Sequence, residues 1–182
     1  MRIPNESQRR TWQNPESTLL SVGLESSLTF VDVGCGDGFF ALPATKIVGR
    51  AGKVYALDED PDAIARLKQR ARLDGIVNLD ATIGKAEDIV LCQGCADIVF
   101  FGIVLHDFQD PAKVLRNSKI MLKPAGHLVN LDWKKSEMPV GPPLQIRLSE
   151  EEAIRLIESR GFKVETCRES GTYHYVIIAS QI

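Results

Sequence analysis

Phe30-Val31-Asp32-Val33-Gly34-Cys35-Gly36-Asp37-Gly38-Phe39-Phe40 is an apolar strand running into a turn rich in glycine. Glycines there permit a tight turn and close approach of a ligand to the backbone, and the helix start that follows is expected to present unpaired N–H groups. Spacing narrows the ligand. A dinucleotide-binding turn follows G-x-G-x-x-G, but the position of its third glycine is Phe39, and the chain has Gly34-x-Gly36-x-Gly38 instead. No Gly-Lys-Ser/Thr follows, which excludes a Walker phosphate loop. Asp32, just ahead of the turn, would repel a pyrophosphate and suits a cationic amino group. Twenty residues after Gly38 a second strand ends in Tyr55-Ala56-Leu57-Asp58, and an acid at that tip can take both hydroxyls of a ribose through its two oxygens. The pattern describes a nucleoside carrying an amino acid.

Outward from this loop the chain alternates strand and helix. Short apolar runs at 29–33, 53–57, 80–83, 96–101 and 127–131 read as strands. Asn14-Pro15, Asp60-Pro61 and Asp110-Pro111 each place a capping side chain before a proline whose missing N–H costs nothing at a helix start, and Ser149-Glu150-Glu151-Glu152 has capping-box spacing. Gly75 and Gly161 sit where helices end. In the helix after Asp60, Ile64, Leu67, Ala71 and Leu73 are expected to face a sheet. Strands apolar on both faces, such as Ile98-Val99-Phe100-Phe101, require helices on both sides. Near the C-terminus, 162–167 and 173–178 are joined by too few residues for a parallel crossover, so they are expected to form an antiparallel hairpin. The fold class is therefore α/β, a doubly wound Rossmann-like sheet of seven strands with helices on both faces.

The 182 residues fit a single domain, 1–182, with 44% hydrophobic content and a formal charge of −2. That balance argues against nucleic acid as a partner. No apolar run approaches the ~20 residues of a membrane span, and Met1-Arg2-Ile3-Pro4 lacks the apolar stretch of a secretion signal, so the cytosol is the expected address. Cys92-Gln93-Gly94-Cys95 has CxxC spacing, but further ligands are distant and no metal is expected. It is read as a small, partly buried turn.

The acid, the three-glycine turn and the acid ending the second strand resemble class I S-adenosylmethionine-dependent methyltransferases. The likeness extends through Ala96-Asp97-Ile98-Val99-Phe100-Phe101-Gly102-Ile103-Val104-Leu105-His106-Asp107-Phe108 and Met121-Leu122-Lys123-Pro124-Ala125-Gly126. Within that class the arrangement is most similar to small-molecule enzymes of the quinone-biosynthesis and arsenite-methylating kind. The resemblance implies S-adenosyl-L-methionine as cofactor. It implies that the backbone of Gly34, Cys35, Gly36 and Gly38 cradles the methionine part, that Asp32 orients its amino group, and that Asp58 holds the ribose with Glu59 beside the adenine. Gly84-Lys85-Ala86-Glu87 stands where the family has Gly-Asp-Ala-Glu, so adenine is read either by the backbone of Ala86 and Glu87 or less tightly. Gly102 begins the loop beside the methyl group.

A cofactor that carries an electrophilic methyl leaves the protein chiefly to orient the acceptor and exclude water. His106 and Asp107 are the candidate general bases for an acceptor that must lose a proton; the competing reading has His106 packing and Asp107 capping a turn. Acceptor contacts are expected from residues 1–23, 102–108 and 134–148. The helix from Pro15 is expected to lie over the cofactor as part of a lid, and 134–148 to form a substrate loop. Trp12 and Trp133 are candidates for an apolar pocket, and Arg9, Arg10, Lys134, Lys135 and Arg147 for an anionic substrate. The expected partner is a small-molecule acceptor, and a homodimer is compatible with the sequence. Methylation of protein or RNA, and a cofactor-binding scaffold without catalysis, are the alternatives.

Overall fold

Seven strands form one sheet: β1 (Thr29–Val33), β2 (Lys53–Asp58), β3 (Leu79–Ile83), β4 (Ala96–Gly102), β5 (Leu122–Trp133), β6 (Phe162–Ser170) and β7 (His174–Gln181), in spatial order β3-β2-β1-β4-β5-β7-β6. The computed structural model describes residues 6–182; the first five residues of the expected lid lie outside them. β1 to β5 pair in parallel, and β7 runs antiparallel between β5 and β6. Strand order reverses between β1 and β4, and in such sheets a crevice opens at that point beyond the carboxyl ends of the strands. β5 outruns the expected 127–131 because it is hydrogen-bonded on both sides, with β7 paired from His127 to Trp133.

Among the described residues six α-helices complete the fold: α1 (Glu6–Arg10), α2 (Pro15–Ser21), α3 (Ala41–Val48), α4 (Pro61–Leu73), α5 (Pro111–Met121) and α6 (Glu150–Glu158). Their starts use the expected chemistry. Asn14, Asp60 and Asp110 accept backbone N–H bonds from Ser17, Asp62 and Lys113, and Ser149 and Glu152 cap each other reciprocally. Two apolar layers sandwich the sheet. Leu19 of α2, Ala44 of α3 and Ile64 and Leu67 of α4 pack with Phe30 and Phe100 on one side. Val114 and Leu115 of α5 and Ala153 and Ile157 of α6 pack with Val31 and Phe101 on the other.

One expectation fails here, and one turn carries a covalent link that the sequence reading did not foresee. Leu73 is 79% exposed, because nine residues after Ile64 it has turned to the opposite side of α4. Cys92 and Cys95 are joined by a disulfide. Gly94, at φ +57, lets the turn close, and N–H bonds from Gly94 and Cys95 to the carbonyls of Ile120 and Met121 hold it against the end of α5. This turn precedes β4 and so lies at the end of the sheet away from the crevice. Cys167, on the edge strand β6, is a free and exposed thiol. No described helix is long and apolar enough to cross a membrane.

Candidate functional site

The period of two along β1 puts Phe30 and Asp32 on the same face, and Asp32 thereby enters an apolar layer. It is 1% exposed, and neither carboxylate oxygen has a hydrogen-bond partner. Burial, reinforced by the charge of Asp58, pushes its pKa up to about 7; Arg9 and the backbone N–H of Ala41 oppose the shift without reversing it. An orphaned buried acid is expensive, and a cation delivered to it would relieve that cost. The glycine turn beside it serves a different purpose from the one expected of a helix start. Gly34 and Cys35 donate their N–H groups to the carbonyl of Leu57, Gly36 donates to Asp58 Oδ2 at 2.7 Å, and Gly38 donates to the carbonyl of Cys35. These four donors are consumed inside the protein, and Asp32 is left as an acceptor for a cation. Gly34, at φ +74, is held close to the following loop, since a Cβ there would lie 2.7 Å from Val104 Cγ1.

Asp58 has a second duty that the sequence did not disclose. Its Oδ2 takes the Gly36 N–H and its Oδ1 the Asp60 N–H at 2.9 Å. It thus locks the glycine turn to the end of β2, with one further lone pair on each oxygen for a diol. A cleft of about 220 Å³ opens beside it, and Gly34, Asp58, Glu59, Lys85, Ala86, Glu87 and Asp107 all contribute to its walls. These expected residues are brought together. Others are not. Cys35 is buried, with its thiol directed to the carbonyl of Gly36, and burial raises its pKa. Gly38 packs against Leu67 and Leu42, and Gly102 against the rings of Phe40 and Phe100. The Glu87 carboxylate accepts the N–H groups of Gln109 and Asp110, and the carbonyls of Ala86 and Glu87 take the amide of Asn117. Lys85 is exposed at the rim.

Beyond β4 the chain bends sharply. Ile103 adopts φ +68, a conformation a β-branched residue avoids, and its N–H is held by the carbonyl of Leu131 at 2.8 Å. Strain of this kind gathers at functional sites. The bend delivers His106, whose side chain is only 2% exposed, with Nδ1 2.7 Å from Asp132 Oδ1 and Nε2 3.5 Å from Asp107 Oδ1. Burial works against a charged ring, but the hydrogen bond to Asp132, its charge and that of Asp107 outweigh it and raise the pKa of His106. Asp132, 1% exposed near the end of β5, also accepts the Trp133 N–H, and its Oδ2 has no partner. Sequence reasoning missed Asp132. The available signal was the same as for Asp32, an acid late in an otherwise apolar strand.

The segment 134–148 is ordered around one side chain. Arg147, 5% exposed, donates from Nε to the carbonyl of Pro142, from Nη1 to those of Lys134 and Ser136, and from Nη2 to that of Val140. Four carbonyls take four of its five N–H groups, so it staples the loop and does not present the free fork expected for an anionic substrate. Lys134, Lys135 and Arg10 are likewise paired, with Glu169, Glu152 and the Glu6–Glu16 pair. Trp12 and Trp133 do not line the cleft. They lie 5.4 Å apart and both pack on His174, at 5.5 and 4.3 Å. Burial, with Arg9, Lys134 and Arg147 nearby, pushes the pKa of His174 down to about 3. Of the two helices in the expected lid segment 1–23, α2 buries Leu19 in the core beside α3, and α1 lies against the glycine turn. Arg70 clamps it there, donating to Glu6 at 2.8 Å and to the Asp37 carbonyl at 3.3 Å.

A family model described as a methyltransferase domain matches residues 24–173. The chain belongs to that methyltransferase family. Among solved structures, it is similar to a SAM-dependent methyltransferase from Aquifex aeolicus, with 31% identity, a TM-score of 0.91, and 96% of this chain and 93% of that one covered. Among curated proteins, it is 26% identical over 123 residues to demethylmenaquinone methyltransferase of Lactococcus lactis, covering 68% of this chain and 49% of that protein. A ubiquinone/menaquinone biosynthesis C-methyltransferase of Klebsiella pneumoniae is 26% identical over 136 residues, covering 74% and 52%. The chain spans about half the length of these curated relatives.

Proposed function

We propose that this chain binds S-adenosyl-L-methionine and transfers its methyl group to a small acceptor of the class its quinone-biosynthesis relatives act on. The observation that carries the reading is Asp32, a buried carboxylate with two unpartnered oxygens behind a glycine turn in which Gly34, Cys35, Gly36 and Gly38 already donate within the protein. That environment fits the ammonium of a methionine moiety. Asp58, on the wall of the same cleft, fits a ribose diol, while Ala86 and Glu87 bound the space for the base. The cofactor, when bound, supplies an electrophilic methyl on a sulfonium. The protein supplies orientation, exclusion of water and a destination for the acceptor's proton.

Three residues serve that last need. Asp107 lies on the cleft wall and faces the acceptor. His106 stands behind it with Nε2 in reach, and Asp132 holds the imidazole by Nδ1 so that Nε2 presents its lone pair. A proton leaving the acceptor passes to Asp107 and rests on His106, whose raised affinity for it is set by carboxylates on both sides. Asp132 is a positioning residue in this scheme. Methylation at carbon, as in the name of the Klebsiella relative, needs such a proton sink. A cytosolic address and a homodimer belong to the same proposal, to be read from fractionation and sedimentation.

The test pairs calorimetry with labelled transfer. S-adenosylhomocysteine is expected to bind, and label from the cofactor to enter a demethylated quinone precursor. Asp107→Asn and His106→Gln are each expected to reduce kcat by about 100-fold, the middle of the range for general acid–base catalysis, with product affinity unchanged. No binding of either cofactor form, or full turnover in both variants, would sink the reading.

A further inference from the structure

We propose that Arg9 binds the carboxylate of the cofactor's methionine moiety while Asp32 takes its ammonium, so that α1 recognises the amino-acid end of the ligand directly. This rests on the reading of Asp32 given above. Of the five cations that the sequence offered to an anion, four are engaged with carboxylates or carbonyls, and Arg9 is left. Its guanidinium lies 3.8 Å from the centre of the Phe39 ring and 5.2 Å from that of Phe40, the two residues that follow the glycine turn. Its Nε is fixed by Gln13 Oε1 at 2.7 Å, and among the described residues its terminal nitrogens make no hydrogen bond.

Arg9 faces Asp32 closely enough for each to perturb the other, with Asp37 and Glu6 as the further acids in reach, yet it does not touch it. Both Asp32 oxygens are without a partner. An arginine placed merely to neutralise Asp32 would reach the carboxylate and form the paired geometry that guanidinium and carboxylate favour. A gap between a buried acid and a half-buried base fits a zwitterion, one charge for each. The planar fork of Arg9, stacked on Phe39 and steadied by Gln13, suits bidentate capture of a carboxylate. The mounting of α1 points the same way. Arg70 ties its Glu6 to the Asp37 carbonyl of the turn, and Trp12 packs on Trp133 and His174 at the far side of the crevice. α1 is thus held across the strand ends at two points, with Arg9 between them.

The experiment uses three ligands on the full chain by calorimetry: S-adenosylmethionine, its decarboxylated form, which keeps the amine and sulfonium, and 5′-methylthioadenosine, which lacks the amino-acid part. The wild-type protein is expected to bind the decarboxylated form about 10- to 100-fold more weakly than S-adenosylmethionine, the range for one charge-assisted contact. Arg9→Met, which keeps an apolar stem over Phe39, is expected to lose the same factor for S-adenosylmethionine. It should bind the other two ligands as the wild type does, and Arg9→Lys should recover part of the loss. Equal affinity of the wild type for carboxylated and decarboxylated ligands overturns the proposal without a variant. So does an Arg9→Met protein that weakens toward all three ligands alike, which marks α1 as structural, or that binds S-adenosylmethionine more tightly, which marks Arg9 as a competitor for Asp32. A wild-type protein that binds none of the three removes the underlying cofactor reading, and this inference with it.

Discussion

Replacing Asp32 by Asn separates what the fold needs from what the site needs. A free Asp titrates near 3.8 and Asp32 near 7 in the folded chain, because burial and Asp58 disfavour its charge. At 1.36 kcal/mol per pH unit, that interval amounts to about 4 kcal/mol. The sign follows from which state binds the proton more tightly. Below pH 4 both folded and unfolded chains hold it and Asp32 costs nothing through ionisation. Between pH 4 and 7 the folded chain must keep a proton that the unfolded chain releases, so stability falls as pH rises, and above 7 the full penalty applies. Asn, isosteric and uncharged, escapes it. Urea unfolding should therefore find Asp32→Asn more stable than the wild type by up to about 4 kcal/mol at pH 8. The gap should narrow to less than about 1 kcal/mol at pH 4.5.

Function should move the other way. A cationic amino group favours ionised Asp32, so cofactor binding below pH 7 expels a proton, which calorimetry in buffers of different ionisation enthalpy would register. Asp32→Asn should bind the cofactor more weakly and release no proton. A stability difference that is absent at pH 8 or independent of pH would refute the account of Asp32 as a strained acid. Proton release unchanged in the variant would refute its role as the receptor of the cation.

Two further perturbations test the neighbouring elements. Asp132→Asn removes the hydrogen bond and charge that raise the pKa of His106, so the rising limb of the pH–kcat profile should move to lower pH. The same shift has a stability counterpart. The stabilisation from the His106–Asp132 pair is complete below the ordinary imidazole pKa near 6.5 and is lost as pH rises through the raised folded value, so thermal melts of variant and wild type should converge at alkaline pH. Arg147→Met strips four hydrogen bonds from carbonyls of 134–148. It should destabilise the chain by about 2–4 kcal/mol, the range for removing a buried polar network, and expose the loop to limited proteolysis. A loop no more easily cleaved than in the wild type would count against the staple.

What the sequence disclosed and what it hid divide along a physical line. The alternation of strand and helix, the caps at Asn14, Asp60, Asp110 and Ser149, and the hairpin were legible because each depends on residues within a few positions of one another. The wall of the cleft was legible for the same reason, since the glycine turn and Asp58 are spaced by one strand–helix–strand unit. The partner of His106 lies 26 residues away on β5, and nothing local relates the two. Asn130-Leu131-Asp132-Trp133 reads as ordinary alternation until β5 is laid beside β4, and then Asp132 falls next to the bend at Ile103. Arg147 was unreadable in the same way, since an arginine bound to four carbonyls and an arginine in solvent have the same sequence. Within the segment 1–23, α2 carries the stronger apolar pattern, and strong patterns are what cores consume. Leu19 disappears beneath α3. The short, charged α1 buries no residue in the core, which leaves Glu6 free to be clamped by Arg70 and Arg9 free to stack on Phe39. An element at the crevice whose pattern is too weakly apolar for the core is thus one to weigh for polar contacts, and Asp32 and Asp132 stand out in the same way as buried acids flanked in sequence by apolar residues.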